Sequence, residues 1–409
     1  MSKSISNMRV AIIGGGAAGF FSAFSVKEHH RNASVTIFEK SNKLLSKVKI
    51  SGGGRCNVTH ACFSPSKLSK SYPRGGKHLK KSFSVFQAQD TVEWFSQRGV
   101  ELKAEEDGRM FPTTDSSQTI IDCFHKEAAN KNITITVQSP VTKIVKEKEG
   151  YTLQFESRSE QFDKIIVATG GSPKMSGFYW LQKLGHTISP PLPSLFTFNM
   201  PGDQIKILMG LVVENATVHL QGTKLSHHGP VLITHWGMSG PAILKLSAWG
   251  ARHLAENNYN FKIQINWLSI KSDEVANEII EEKLLAIRKK KISNACPFEL
   301  PNRMWLFLLE KVGIDPDSVW HELSKKNRNK LLNILLNDIY EVKGKTTFKE
   351  EFVTCGGIKL SEIKMTSMES RICKDLYFAG EVLDIDGITG GFNFQAAWTT
   401  GYIAGKLIE

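Results

Sequence analysis

The order of apolar and polar residues at the start of the chain predicts two strands with a helix between them. Residues 9–13, RVAII, form a short run of strand-forming residues, and residues 34–40, SVTIFEK, alternate in the way a strand does. Residues 17–29 between them are compatible with a helix. Strand, glycine-rich loop, helix and strand within about 30 residues make a βαβ unit. We therefore expect the two strands to lie side by side and parallel.

Similar strands are predicted near both ends of the chain, whereas the middle has a different pattern. The additional strands fall at residues 133–137, 151–157, 163–171 and 375–381. Residues 186–198, HTISPPLPSLFTF, contain three prolines within four positions, which excludes a helix and indicates passage into another unit. Short strands are then predicted from about 194 to 270. Helices are predicted from about 272 to 340, the last one drawn through NKLLNILLNDIYEV at 329–342.

These patterns predict an α/β domain that is built from both chain ends and interrupted by an insertion. We expect its first part at residues 1–193, the inserted domain at 194–345 and its second part at 346–409. The parallel strands joined by helices predict a doubly wound, Rossmann-like sheet.

A G-x-G-x-x-G pattern follows the first strand and opens the first helix. In such a pattern Gly14 makes the tight turn, Gly16 lets the backbone approach a pyrophosphate, and Gly19 lets helix and strand pack closely. Glu39 stands at the end of the second strand, where a carboxylate accepts hydrogen bonds from ribose hydroxyls. The segment therefore predicts a dinucleotide at the start of the first helix.

A second glycine-rich segment near the C-terminus favours FAD over NAD. Residues 378–401 run from a strand through an acid-bearing loop and paired glycines into a helix. The amides of Gly390 and Gly391 are expected to face either the flavin pyrimidine edge or the pyrophosphate. Either Asp384 or Asp386 is expected to hold the ribityl chain.

Five motifs together resemble the BaiN-like or aminoacetone-oxidase family of FAD-binding proteins over nearly the whole chain. They are VAIIGGGAAG, KVKISGGGRCNVTH, VATGGSPKMSG, THWGMSGPAIL and FAGEVLDIDGITGGFNFQAAWTTG. The resemblance implies an FAD-dependent oxidoreductase whose inserted domain contains a β-barrel and helices. It also implies FAD contacts at Gly14, Gly16, Ala18, Gly19, Glu39, Lys40, Gly53, Gly54, Arg55, Asn57, Thr169, Gly170, Gly380, Glu381, Asp386, Gly391 and Phe392. Phe392 stands where a tyrosine is frequent, so one hydroxyl is missing there.

Several residues near these motifs have alternative interpretations. Arg55 suits either a phosphate or the negative charge of reduced flavin, or it caps a surface carbonyl. Cys56 is either a thiol of lowered pKa or a small packed residue. His235 either assists proton transfer beside the flavin or belongs to a structural turn. The sequence identifies no catalytic acid or base, and the spacing of its histidines does not predict a metal site.

Composition adds expectations about partners and location. The net charge of +12 includes basic clusters at residues 67–82 and 288–291, which are either solvated surface or a binding surface for an anionic partner. Six scattered cysteines without a C-x-x-C pair argue against zinc and disulfides. The sequence shows neither a membrane span nor a signal peptide, so we expect a cytoplasmic protein.

The resulting functional hypothesis is an FAD-dependent oxidoreductase acting on a small organic molecule. We expect that molecule to enter a cleft between the FAD domain and the insertion. NAD(P)H as the electron donor is expected from the family resemblance alone. Two alternatives stay open: a flavin-dependent, RNA-associated protein similar to tRNA-modifying enzymes, and a flavin-binding protein without turnover.

Overall fold

The first strand, Arg9–Ile13, lies in the middle of five parallel strands in the computed structural model, which describes residues 7–346 and 353–408. Val10 pairs with Lys164 on one side and with Val35 on the other. Two short antiparallel strands extend one edge of this sheet. In spatial order its strands are Ile363–Lys364, Glu369–Ser370, Leu376–Phe378, Lys164–Val167, Arg9–Ile13, Ser34–Phe38 and Thr134–Thr136. The predicted parallel βαβ unit is confirmed.

The chain divides into two compact units. Unit one comprises Met1–Pro193 with Lys349–Glu409, and unit two comprises Ser194–Phe348. The second division, after Phe348, falls outside the described residues. Unit one contains the parallel sheet, and its central strands Arg9–Ile13 and Lys164–Val167 are buried on both faces as expected where helices cover a parallel sheet.

Two helices from opposite chain ends pack tightly in unit one. The first helix, Ala17–His29, contacts the last helix, Phe392–Gly405, at glycine positions of the latter. A β-carbon placed on Gly405 would lie 2.4 Å from the carbonyl oxygen of Ser22, so only glycine permits this approach. The other helices of unit one are Ser46–Ile50, Pro65–Leu68, Gly76–Ser82, Ala88–Ser96, Ser117–Asn130 and Tyr179–Gln182.

Three smaller sheets complete unit one. They comprise Thr59–His60 with Arg109–Pro112 and Leu102–Ala104; Lys143–Lys146 with Tyr151–Gln154 and Ser159–Phe162; and Ile188–Ser194 with Val353–Ile358. The proline-rich stretch therefore forms a strand of a two-stranded sheet, where the missing N–H groups of proline are tolerated. Gly356 fits against it because a β-carbon there would lie 2.4 Å from the carbonyl oxygen of Pro190.

Unit two is a closed antiparallel sheet with helices. In spatial order its strands are Asp338–Lys343, Asn260–Asn266, Val212–Leu220, Ser226–Ile233, Gly237–Ser239, Thr197–Asn199 and Lys345–Thr346. The first and last of these strands are separated in sequence only by Gly344, so the sheet closes on itself as a small barrel. Its helices are Pro241–Glu256, Asp273–Ile287, Asn302–Lys311 and Lys325–Leu336.

One prediction for unit two is wrong. The last predicted helix ends at Leu336, and the following residues, Asp338–Lys343, form a strand with alternating burial. Asp338 is fully buried and bonded to Lys311 (2.6 Å) and Trp267 (3.0 Å). A period of two thus replaces the helical period, because every second residue of this strand, beginning with Asp338, is buried. Among the described residues, no helix has both the length and the apolar character needed to cross a bilayer.

Candidate cofactor site

The glycine-rich turn after the first strand holds backbone segments in direct contact. Gly14 has a φ of +117°, and a β-carbon there would lie 2.4 Å from the carbonyl oxygen of Ala168. A β-carbon on Gly19 would lie 1.9 Å from the carbonyl oxygen of Gly14. These two glycines therefore bring the turn, a neighbouring strand end and the first helix together.

Four other glycines among the predicted cofactor contacts face open space. A β-carbon placed on any of them would have no neighbouring atom within 4 Å; they are Gly16, Gly53, Gly54 and Gly170. Gly16 and Gly170 follow adjacent strands of the parallel sheet, where such folds bind their ligands. Gly53 and Gly54 belong to the triple-glycine loop, residues 51–57, and both have a positive φ.

The carboxylate of Glu39 lies at the glycine-rich turn. Its Oε2 accepts a hydrogen bond from the amide of Gly15 at 2.9 Å, and its Oε1 accepts from the amide and the hydroxyl of Ser41 at 2.9 Å each. This position, at the end of the second strand, suits a bond to a ribose hydroxyl. The adjacent predicted contact, Lys40, is exposed.

The predicted C-terminal contacts lie against the start of the first helix. A β-carbon on Gly380 would lie 2.9 Å from the Cβ of Ala18, and the Gly380 amide donates to the hydroxyl of Thr400 at 2.9 Å. Glu381 Oε2 pairs with Lys47 Nζ at 2.6 Å. The fold therefore brings together segments that are more than 300 residues apart in sequence.

Asn57 connects the triple-glycine loop to the start of the last helix. With its amide oriented to satisfy both groups, its nitrogen donates to the Thr59 carbonyl and its oxygen accepts from the Gly391 amide, each at 3.0 Å. Gly391 has a φ of +88°, and a β-carbon there would lie 2.4 Å from the Thr59 carbonyl oxygen. Asn57 thus positions the loop, while its contact with flavin remains a prediction.

Two further predicted contacts, Asp386 and Phe392, are buried. Asp386 is fully buried and paired with Arg74, whose Nε lies 2.5 Å from Oδ1. Phe392 stacks on the imidazole of His60 with ring centroids 4.7 Å apart, and its carbonyl accepts from the hydroxyl of Tyr72 at 2.7 Å. These contacts fix the loop that precedes the last helix, and a contact between Asp386 and the ribityl chain remains a prediction.

Arg55 and Cys56 lie on different sides of the triple-glycine loop. Arg55 Nη1 lies 2.7 Å from Glu105 Oε1 and 3.6 Å from Asp115 Oδ1, and its guanidinium covers the ring of Phe111 at 4.0 Å. Cys56 has no exposed surface, and this burial raises the pKa of its thiol to about 12. The hypothesis of a lowered pKa is therefore wrong, and Cys56 is a packed, protonated thiol.

Sequence reasoning missed the side chains that hold these segments in place, namely Lys47, Tyr72 and Arg74. Lys47 opens the motif KVKISGGGRCNVTH, whereas the signal available for Tyr72 and Arg74 was the basic composition of residues 67–82, which was read as solvated surface or as a binding surface for a partner. Nothing in the spacing pairs Arg74 with a carboxylate 312 positions away. The pairing is recognised only from the fold, which buries the Arg74 guanidinium next to the Asp386 carboxylate, because a buried charge needs a partner of opposite charge.

The predicted helix start after His235 is confirmed at Pro241 in unit two. His235 itself is exposed beside Trp236, with ring centroids 4.6 Å apart. His227 stacks near Trp249, and His228 Nδ1 lies 3.0 Å from the hydroxyl of Ser269. Proton transfer by His235 therefore remains a prediction.

The residues of unit one fit FAD. The first helix starts at Ala17 without a side-chain cap and without an acidic residue in its first turn, so its initial amides suit a pyrophosphate. Open glycines leave room beside those amides, and Glu39 provides the acceptor for a ribose. The family described as HI0933-like protein Rossmann domain matches residues 8–407.

The chain belongs to this family. Curated relatives include the ribosomal RNA dihydrouridine synthase of Escherichia coli (strain K12), 28% identical over 401 residues, covering 96% of this chain and 95% of the relative. Another is the 3-dehydro-bile acid delta(4,6)-reductase of Clostridium scindens, 26% identical over 413 residues, covering 97% and 98%. As expected from its sequence, this member of the HI0933-like family is an FAD-dependent oxidoreductase.

Solved structures share the fold of this HI0933-like chain. The 3-ketosteroid delta1-dehydrogenase from Sterolibacterium denitrificans aligns with a TM-score of 0.51 at 10% identity, covering 97% of this chain and 98% of that one. The 3-ketosteroid-delta4-(5alpha)-dehydrogenase from Rhodococcus jostii RHA1 aligns with a TM-score of 0.50 at 11% identity, covering 98% of each chain. At such identities the likeness concerns the fold, and it confirms the predicted fold class.

Proposed function

We propose that this oxidoreductase reduces a carbon–carbon double bond conjugated to a carbonyl group. Of the two relatives described above, one is named for making dihydrouridine and the other for reducing delta(4,6) bonds of a 3-dehydro bile acid. In uracil, C5=C6 is conjugated to the C4 carbonyl, and in a 3-oxo steroid the delta-4 and delta-6 bonds are conjugated to the ketone. Both names thus describe the addition of two hydrogens across an activated double bond. This shared chemistry carries the proposal.

FAD is the hydride carrier of such a reaction when it is bound. The amides at the start of the first helix, next to Gly16, would hold the pyrophosphate, and Glu39 would hold the adenosine ribose. Gly53 and Gly170 would lie against the cofactor because neither position has a neighbouring atom where a side chain would start. The amide of Gly391 is taken by Asn57, contrary to the expectation that it faces the cofactor, so the second set of amides would come from the first residues of the last helix, after Gly391.

Hydride addition to a conjugated double bond places negative charge on the carbonyl oxygen. Gly52, Gly53 and Gly54 have consecutive positive φ angles of 57°, 68° and 84°. All three glycines are exposed, and exposed backbone amides in such a turn suit an anion. We propose that the triple-glycine loop stabilises the negative charge that develops on the substrate or on the reduced cofactor. The charge of neighbouring Arg55 is already balanced by Glu105.

We propose NADH or NADPH as the source of the hydride. Anaerobic stopped-flow mixing of the FAD-loaded protein with each nicotinamide tests this half of the reaction, because reduction bleaches the flavin. We expect one of the two to bleach it in a saturable manner. Bleaching by neither would contradict this choice of donor.

The oxidising half is tested separately, with flavin reduced photochemically by EDTA as the sacrificial electron donor, so that no nicotinamide is needed. We expect 2-cyclohexen-1-one or uridine to restore the oxidised spectrum, and cyclohexanone, the saturated control, to leave it reduced. Flavin that is reoxidised by neither unsaturated compound, yet is reduced by small amines, would indicate an amine oxidase and overturn the proposal. Flavin inert to every donor and acceptor would support the alternative without turnover.

A further inference from the structure

The positive charge of the protein is concentrated in one stretch of unit one. Between Glu39 and Asp90 the sequence contains no acidic residue, yet it contains nine lysines and two arginines. The net charge of this stretch is therefore +11, against +12 for the whole chain. Elsewhere in the chain, acidic and basic residues nearly balance.

Eight lysines of this stretch are exposed and have no ion pair among the described residues, and five of the eight lie between residues 67 and 81. We call these five the lysine surface: Lys67, Lys70, Lys77, Lys80 and Lys81. None of the five has a carboxylate within 4.0 Å in the part of the chain that the structure describes. The helix Gly76–Ser82 buries Gly76, Leu79 and Ser82, so its lysines lie on the opposite face. The charge of this surface is therefore available to an external anion.

The lysine surface is attached rigidly to the candidate cofactor site. Tyr72 and Arg74 lie in sequence between Lys70 and Lys77. The hydroxyl of Tyr72 donates to the Phe392 carbonyl at 2.7 Å, and Arg74 pairs with buried Asp386. The amide of Ile388 donates to the Ser71 carbonyl at 2.9 Å. A polyanion on the lysine surface would thus lie at a fixed position relative to the start of the last helix.

We infer that the lysine surface binds the phosphate backbone of an RNA that carries the base to be reduced. This inference rests on the proposed function and specifies its substrate as a uracil within RNA. Unpaired lysines gain binding energy by releasing the counterions of phosphates. Phe63, whose side chain is 45% exposed just before the first lysines, offers a stacking platform for an unpaired base. Enzymes that modify a base must take it out of the stack, and a clamp on the flanking backbone serves that purpose.

The test measures the binding of a fluorescein-labelled RNA stem-loop with a uridine-containing loop by fluorescence anisotropy at several salt concentrations. The FAD-loaded full chain is compared with the triple variant Lys77→Gln, Lys80→Gln, Lys81→Gln. We expect the Kd to rise about tenfold and the slope of log K against log salt to fall by about 2, since each single-strand phosphate contact contributes about 0.7. The matched control is Lys289→Gln, Lys290→Gln, Lys326→Gln, three exposed lysines of unit two. It should bind RNA like the unmodified protein.

Three outcomes would overturn the inference. The first is that the unmodified protein does not bind the RNA. The second is that both triple variants bind the RNA equally more weakly than the unmodified protein. The third is that the variant Lys77→Gln, Lys80→Gln, Lys81→Gln binds RNA unchanged but no longer binds vesicles of anionic phospholipid. Reduction of 2-cyclohexen-1-one is measured in parallel and should be the same for all three proteins. An active enone reductase that does not bind RNA would contradict the lysine surface alone. An inactive protein that binds RNA through these lysines would contradict the proposed reaction alone.

Discussion

Two groups of glycines in unit one serve opposite purposes. A β-carbon on Gly14, Gly19 or Gly391 would lie within 2.4 Å of a backbone carbonyl oxygen, whereas one on Gly16 or Gly53 would meet nothing within 4 Å. The first group permits backbone segments to touch, and the second leaves room for a ligand. Stability should therefore depend on the packed group and cofactor affinity on the open group.

The largest expected effect is on stability, at a packed position. Gly19→Ala would force a β-carbon against the Gly14 carbonyl and should lower the free energy of unfolding by about 3 kcal/mol. Urea unfolding of the FAD-free protein measures it. Gly250→Ala in the middle of a unit-two helix is the control, since its nearest neighbour is a leucine side chain at 3.3 Å. The control should change stability by no more than about 1 kcal/mol. Equal losses in the two variants would remove the distinction.

The next effect is on cofactor affinity, at an open position. Gly16→Ser places a favoured residue at the start of the first helix, so the stability of the FAD-free protein should change by only a few tenths of a kcal/mol. Its side chain would occupy space meant for the cofactor, and the Kd for FAD should rise about tenfold, or about 1.4 kcal/mol. Titration of flavin fluorescence gives the value. An unchanged Kd would show that the open space beside Gly16 is not the FAD site.

A smaller effect is expected from the acid beside the open glycines. Glu39→Gln keeps one acceptor oxygen but loses the charge and one of the bonds from Gly15 or Ser41, so FAD should bind about fivefold more weakly because the bond to the ribose becomes neutral and the turn is held less firmly. Glu156→Gln, at an exposed position, is the control. Equal FAD affinities for the two variants would place the ribose elsewhere.

The smallest effect is expected at Cys56, on the packed side of the triple-glycine loop. With a thiol pKa of about 12, only about one molecule in ten thousand carries the thiolate at about pH 8. Iodoacetamide should therefore leave Cys56 unmodified in the folded protein and react first with the partly exposed Cys62. Peptide mass spectrometry after timed quenching follows both sites. Rapid labelling of Cys56 would mean that its thiol is accessible to the reagent and would contradict its packed position.

The sequence predicted the strands of the parallel sheet and the first helix of unit one well, but it predicted no element between residues 41 and 132 and none of the contacts between distant segments. The first helix was predicted with the bounds that the structure shows, because glycines mark its start and a strand follows its end. The strand Asp338–Lys343 was mistaken for helix, since its burial depends on Lys311 and Trp267. Whether a glycine is packed or open also depends on neighbours far away in sequence. The pattern at residues 14–19 therefore identified the turn, but it did not show which of its glycines are packed against backbone and which leave room for a ligand.

The central claim is that unit one binds FAD against the open glycines and the start of the first helix. The most direct measurement is the flavin content of the purified protein after incubation with excess FAD and removal of free cofactor, compared with Gly16→Ser treated in the same way. We expect a yellow protein that releases one FAD per chain, and a variant of unchanged stability that retains far less. A colourless unmodified protein, or equal flavin content in the two proteins, would contradict it.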